Sequence, residues 1–429
     1  MTVRDNLQAP HGRPRDDRVQ SSTPVILCGV SCRAANPGNR QCRRYPERYF
    51  HVVQHAPTAL YFGENCISSH KKVIGSFGKR AFIITSKFSG DCRNYALEDI
   101  VNVEKELDVE YFIYDEVEEN PSVESICRVV KEIREFSPDY IIAIGGGSAL
   151  DTAKAANVLL KYPEGSDAYK VFYGGKRCPN TCNCGVLPLL GIPTTAGSGS
   201  EVMGFAILTR ADTNTKLRMN QLSYFDASFL DARYVIESPQ WLLDAGAMDA
   251  LAHGIEGLLN KKCNPAETIW HNYGLTLFAS YKDALLSRSL SYEQCADMLL
   301  AASVQGMGNM QSGTTIPHGM GYPITHFKNI THGIASVMTI PAFLHVIRNR
   351  EKVDNIITLC GFKSEKSFDE YIYEVVRRNV SNISVADNEI AAWSKECSEL
   401  KERTDAHIEP ITKEMIEEIY RETFKNILD

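Results

Sequence analysis

The sequence predicts an N-terminal α/β domain built on a doubly wound parallel sheet, followed by an all-α C-terminal domain. Three observations carry that expectation. Short apolar runs at 81–85, 109–114, 140–144 and 187–192 read as buried strands, the last two opening into glycine- or hydroxyl-rich turns. Between the second and third runs, Val123, Ile126, Val130 and Ile133 recur at helical spacing. After Ala232 the texture changes, and 241–259, 267–286, 293–307 and much of 335–429 read as helices. Strands alternating with helices need crossover connections, and these wind a parallel sheet.

At 429 residues the chain is too long for one typical core. It divides into an extension over 1–48, an α/β domain over 49–235 and a helical domain over 236–429. The extension holds nine arginines against four acids, several prolines and no sustained period, a composition that favours disorder. Its Asp5, Asp16 and Asp17 fit a transit peptide poorly. Over the whole chain, 44% hydrophobic and 23% charged residues are ordinary for a soluble globular protein. A net charge of −7 gives no reason to expect nucleic acid or an anionic membrane as partner. No apolar run reaches the roughly 18 residues of a membrane span. Thirteen scattered cysteines suit reduced thiols in a cytoplasmic setting. Cys178, Cys182 and Cys184 lack zinc-ribbon spacing and read as a loop.

The third strand runs into Gly145-Gly146-Gly147-Ser148, with Asp151 and Lys154 on the helix that follows. Glycines let the backbone turn tightly and approach a ligand, and a helix start presents free N–H groups to an anion. A dinucleotide pyrophosphate fits such a turn, although the pattern is neither G-x-G-x-x-G nor a Walker loop. The fourth strand opens into Pro193-Thr194-Thr195-Ala196-Gly197-Ser198-Gly199-Ser200-Glu201. Small and hydroxyl-bearing residues at a strand's carboxyl end suit ligand contact.

In the helical half, Asp249 and His253 stand four apart on one helix face, close enough to grip a single ion. His318 and His332, each followed by glycine, would complete a set of one carboxylate and three imidazoles. That donor set suits Fe(II) or Zn(II) and suits Ca or Mg poorly.

Together, Gly146-Gly147-Ser148-x-x-Asp151-x-x-Lys154, the 193–201 turn, Asp249-x-x-x-His253-Gly-x-Glu256 and the two His-Gly pairs resemble the iron-containing alcohol dehydrogenase family. The motifs span about 49–350. Tyr322-Pro-Ile-Thr325, after the first His-Gly pair, resembles a subset with varied substrates. The resemblance implies metal-dependent hydride transfer between NAD(P)(H) and a small alcohol or aldehyde. Carried over by position, it makes Asp249, His253, His318 and His332 the metal ligands. Gly146, Gly147 and Ser148 would cradle the pyrophosphate beside Asp151; Thr194, Thr195 and Ser198 would line the cofactor, and Lys216 would lie near the nucleotide. Homodimers are common in the family, but no stretch of this chain specifies one.

Two departures bear on the chemistry. Many family members carry a relay histidine four residues after the first His-Gly histidine; here the position is Tyr322, whose phenol shuttles protons poorly near neutral pH, so Tyr322, His326, water and the cofactor ribose are the candidates for that role. NAD-preferring members often end the first strand on an acid that repels a 2′-phosphate. Here the strand ends Thr85-Ser86-Lys87, so Ser86 is the expected discriminator and NADP the expected cofactor, with NAD as the alternative. A glycerol-dehydrogenase-like or dehydroquinate-synthase-like enzyme, and a non-catalytic nucleotide-binding relative, are the rival readings. The four-ligand set argues against each.

Overall fold

Strand β4 (Tyr140–Gly145), with all six residues buried, lies inside a six-stranded parallel sheet. The others are β1 (Ala59–Phe62), β2 (Arg80–Ile84), β3 (Glu110–Tyr114), β5 (Leu189–Pro193) and β8 (Ala227–Leu230), in the order β1-β8-β5-β4-β2-β3. A separate antiparallel pair is formed by β6 (Ile207–Arg210) and β7 (Thr215–Arg218). The structure is a computed structural model that describes residues 55–428 except 88–93, 211–214 and 382. The expected 1–48 extension and the first residues of the expected α/β domain lie outside the described residues.

Alternate residues explain why β2 and β4 read as unbroken apolar runs. Phe82, Ile84, Ile141 and Ala143 pack on one face with helices Val123–Phe136 and Gly147–Leu159. Ala81, Ile83, Tyr140 and Ile142 pack on the other with helix Tyr95–Glu106. A strand covered on both faces has no polar side to show. The chain leaves β2 outward for β3 and returns on the other side of β2 to form β4. That reversal opens a crevice beyond the carboxyl ends of β2 and β4, where open α/β sheets bind ligands.

From Gln240 onward the described chain is helical apart from its connections. Helix Gln240–Leu258 buries 16 of its 19 residues, as a helix that is apolar all round must. Helices Pro265–Ser287 and Tyr292–Ser312 pack against it, each opened by a capping box, Asn264 with Glu267 and Ser291 with Gln294. The sequence did not mark β1 and β8. At four residues apiece they are too short for a periodic signal, and their pairing in the sheet is what defines them. Among the described residues, no helix is long and apolar enough to cross a membrane.

Candidate active site

Helix Gln240–Leu258 places Asp249 and His253 one turn apart, and both side chains are buried. Helix Ile316–Lys328 starts with Pro317 in its first turn, where a missing N–H costs nothing, and so presents His318 at its buried start. His332 opens the short helix His332–Val337. Two close approaches hold these elements together. A Cβ on Gly333 would overlap the Ala245 carbonyl oxygen, so glycine there lets His332 reach Asp249. A Cβ on Gly197 would lie 2.8 Å from Gly246 Cα, so the 193–201 turn presses directly on the Asp249 helix.

The outcome is a carboxylate ringed by imidazoles. Asp249 Oδ1 lies 3.5 Å from His318 Nε2, 3.8 Å from His253 Nε2 and 4.0 Å from His332 Nε2. Asp249, His318 and His332 offer ligand atoms within 4.8 Å of one another. His253 flanks that triple with its ring stacked on His318 at 4.7 Å. Asp249 Oδ1 and His318 Nε2 are buried with no hydrogen-bond partner, and so is Nδ1 of both His253 and His332. Donors bound at about 2.0–2.2 Å to one ion sit roughly 3–3.5 Å apart, so a small contraction would close the cluster on a cation. The residues therefore fit a divalent transition metal.

Electrostatics agree with that fit. Burial alone would raise the Asp249 carboxyl, but His253, His318 and His332 hold it well below the usual carboxylate range. Burial pulls His253 and His332 down, keeping them neutral as ligands must be. Burial opposes a charge on His318, yet Glu256 and Asp249, one at each ring nitrogen, push it up to about 10. A proton there stands where a cation would. Glu256 is fully buried: it accepts from His318 Nδ1 and, at 2.6 Å, from the Thr315 N–H. This partner fixes the tautomer that leaves His318 Nε2 facing the cluster. Glu256 shares one helix face with Asp249 and His253, and that spacing is the signal in the sequence that marks it.

The cluster lines a cavity of about 440 Å³ together with Gly147, Ser148, Asp151, Ser198, Lys216 and Tyr322. Of the other expected cofactor residues, Gly146 packs on Thr195, whose Oγ1 would lie 3.0 Å from a Cβ there, and the Thr194 N–H bonds to the Gly145 carbonyl. Ser148 Oγ accepts from the Asn120 N–H, and Lys216 donates to Asn120 Oδ1 at 2.7 Å. Asn120 thus ties the glycine turn to Lys216, a link between residues 96 apart that no local signal announces. Asp151 is already engaged with Ser200 Oγ, the Ile207 N–H and Lys154.

Tyr322 stacks on His332 and accepts from Arg403 Nη2 at 2.8 Å, whereas His326 is exposed and is not among the cavity-lining residues. Ser86 follows β2 and bridges to Glu116; Lys87 is ion-paired to Asp115 and Glu116. Residues 178–184 form a loop, with Cys178 Sγ and Cys184 Sγ 3.6 Å apart.

Comparison with known proteins places these features. Residues 57–232 match the model of the iron-containing alcohol dehydrogenase family, and residues 244–424 match its C-terminal region. The lactaldehyde reductase of Escherichia coli K12 is 28% identical over 319 residues, covering 71% of this chain and 78% of that one. The sulfoacetaldehyde reductase of Bilophila wadsworthia is 31% identical over 290 residues, covering 64% and 70%. The crystal structure of an iron-containing alcohol dehydrogenase from Thermotoga maritima aligns with a TM-score of 0.75 at 31% identity, over 87% of this chain and 99% of that one. With both halves matched in order, the chain belongs to the iron-containing alcohol dehydrogenase family.

Proposed function

We propose that this enzyme, an oxidoreductase of alcohols and aldehydes, transfers hydride between NADP(H) and a small aldehyde. Fe(II), with Zn(II) as the alternative, would be held by Asp249, His253, His318 and His332. One observation carries the reading. A single cavity joins the first turn of helix Gly147–Leu159 to a carboxylate–imidazole cluster in which Asp249 Oδ1 and His318 Nε2 face one another, buried and without a hydrogen-bond partner. When bound, the cation supplies a Lewis acid that polarises the reacting oxygen.

The chain's own groups do the rest. Free N–H groups at Gly147 and Ser148 receive the pyrophosphate, and Lys216 adds a cation beside it. Thr195 and Ser198 brace the turn from the carboxyl end of the neighbouring parallel strand β5. Glu256 holds His318 in one tautomer and orientation. Of the two expected relay groups, Tyr322 is the one facing the cavity, and its hydroxyl has its own proton to give while accepting from Arg403. Asp151 acts as a strut, bound by Lys154 and Ser200.

NADP is proposed over NAD because Ser86, with no charge to repel a 2′-phosphate, stands at the end of β2; Lys87 adds less, being held by Asp115 and Glu116. The division at 235/236 is supported by β8 ending at Leu230 and by the matched segments, which stop at 232 and resume at 244.

The test is an aldehyde screen on anaerobically prepared protein, following NADPH and NADH oxidation with and without added Fe(II) or Zn(II). Metal-dependent oxidation of NADPH is expected; no oxidation of either nucleotide on any aldehyde would overturn the reading. Ser86→Asp should move the NADP-to-NAD ratio of kcat/KM towards NAD by about tenfold, the effect of one adverse charge contact, and an unmoved ratio would reject the cofactor assignment.

A further inference from the structure

We infer that the substrate carries an anionic head group, a carboxylate or a sulfonate, seated on Arg218 in the same cavity. The inference rests on the hydride-transfer reading and adds the substrate class. Five cations line this cavity, Arg177, Lys216, Arg218, Lys262 and Arg403, against three acids, Asp151, Asp249 and Glu402. The acids are already engaged: Asp151 with Lys154, Asp249 within the histidine cluster, and Glu402 with Arg177 at 3.0 Å. Among the cations, Lys216 is bonded to Asn120 and Arg403 to Tyr322.

Arg218 stands apart. Its guanidinium lies over the Phe205 ring at 4.2 Å, and its Nε is buried with no hydrogen-bond partner. A stacked, half-buried guanidinium is rigidly aimed, and a buried donor left unmade is costly. Burial lowers it to about 10, and neighbouring Arg177 pushes the same way. Gln311 supplies a second donor. Its Oε1 is fixed by Asn180 Nδ2 at 2.7 Å, which sets the amide orientation and leaves Nε2 buried and unpartnered in the cavity lining. Two orphaned donors in one cavity lining, one of them cationic, favour a ligand with negative charge and oxygen acceptors.

The cofactor does not account for them. Its pyrophosphate has the glycine turn and Lys216, and its 2′-phosphate would sit by Ser86, which is not among the cavity-lining residues. The charged and phenolic groups acting on Arg218 are instead Arg177, Tyr224, Glu402 and Arg403. Arg403 in turn contacts Tyr322, which stacks on His332, so the cationic wall continues to the histidine cluster. An aldehyde with a short chain between carbonyl and anion would bridge the two.

Metal-loaded enzyme should be assayed with glyoxylate, 4-oxobutanoate and sulfoacetaldehyde against butanal and methyl 4-oxobutanoate. A preference of about 10- to 100-fold in kcat/KM for the anionic set is expected, the range of one charge-assisted hydrogen bond. The better anion distinguishes carboxylate from sulfonate. Arg218→Gln should erase most of that preference through KM, Arg218→Lys should keep part of it, and NADPH affinity should not follow either change. Neutral aldehydes reduced as well as anionic ones, or Arg218→Gln weakening NADPH binding or both substrate classes alike, would overturn the inference. If neither class is reduced with either nucleotide, the hydride-transfer reading fails first.

Discussion

Two buried polar groupings border the cavity, and they differ in how completely their bonds are made. On the sheet side, Lys154 is fully buried and gives its ammonium to Asp151, Ser200 Oγ and O, and the carbonyls of Met203 and Phe205, at 2.6–3.2 Å. On the helical side, Asp249, His253 and His318 are buried and His332 is partly so, yet all four keep buried atoms without partners. The first network is closed and acts as a strut between helix Gly147–Leu159 and the 198–207 segment. The second is open, with donors facing one another across a gap. Satisfaction marks scaffold, and its lack marks a receptor. One histidine repeats the contrast: His271, fully buried behind the Asp249 helix, bonds Gln305 through Nδ1 and Ser312 through Nε2 and has nothing left to offer an ion.

Three measurements would break or sharpen this contrast. His332→Ala opens the cluster and should cost at least about 10³-fold in kcat, the scale of losing Lewis-acid assistance. Dinucleotide affinity should hold, because the glycine turn belongs to the other grouping. Fluorescence titration with NADPH checks this, and a parallel loss of binding would refute the division of labour. Lys154→Met opens the closed network instead. It should lower stability by about 3–5 kcal/mol in denaturant unfolding by stranding Asp151, and a loss of less than about 1 kcal/mol would deny the strut.

The smallest effect concerns pH. Burial holds His271 at about 4 in the folded chain, against an ordinary 6.5, while Gln305 pulls slightly the other way. A depressed folded value means the unfolded chain takes up the proton first. The stabilisation is therefore complete above pH 6.5 and drains away as pH falls towards 4, by up to about 3 kcal/mol. His271→Gln should flatten that acid slope in unfolding curves recorded between pH 7 and 4. An unchanged slope would mean that His271 is not held neutral by its surroundings.

The carboxylate and three imidazoles that the fold brings together were legible in the residues, since Asp249 and His253 share a helix face and the resemblance picked out His318 and His332. The same holds for strands β2, β4 and β5, whose burial on both faces leaves continuous apolar runs; β3, expected to be buried, is the sheet's edge strand and leaves Glu110, Phe112 and Ile113 exposed. Glu256 was harder, because its partner lies 62 residues away and only the meeting of two helices shows it as His318's anchor. The ion pairs of Lys87 with Asp115 and Glu116 were equally hidden, because only the β2–β3 pairing brings those acids beside it. Residue chemistry alone did not place Tyr322 or His326; the fold turns Tyr322 to the cavity and leaves His326 exposed.

Amino-acid order alone dictated the α/β-then-helical architecture, the glycine turn and the carboxylate-and-imidazole set, because these follow from local periodicity and from which atoms a residue carries. The folded chain decided which of those atoms go without partners, and it alone brought Arg218 and Gln311 to the wall of the cavity that holds the histidines. Hydrogen-bond satisfaction depends on every neighbour within a few ångströms, and those neighbours come from positions tens to hundreds of residues apart.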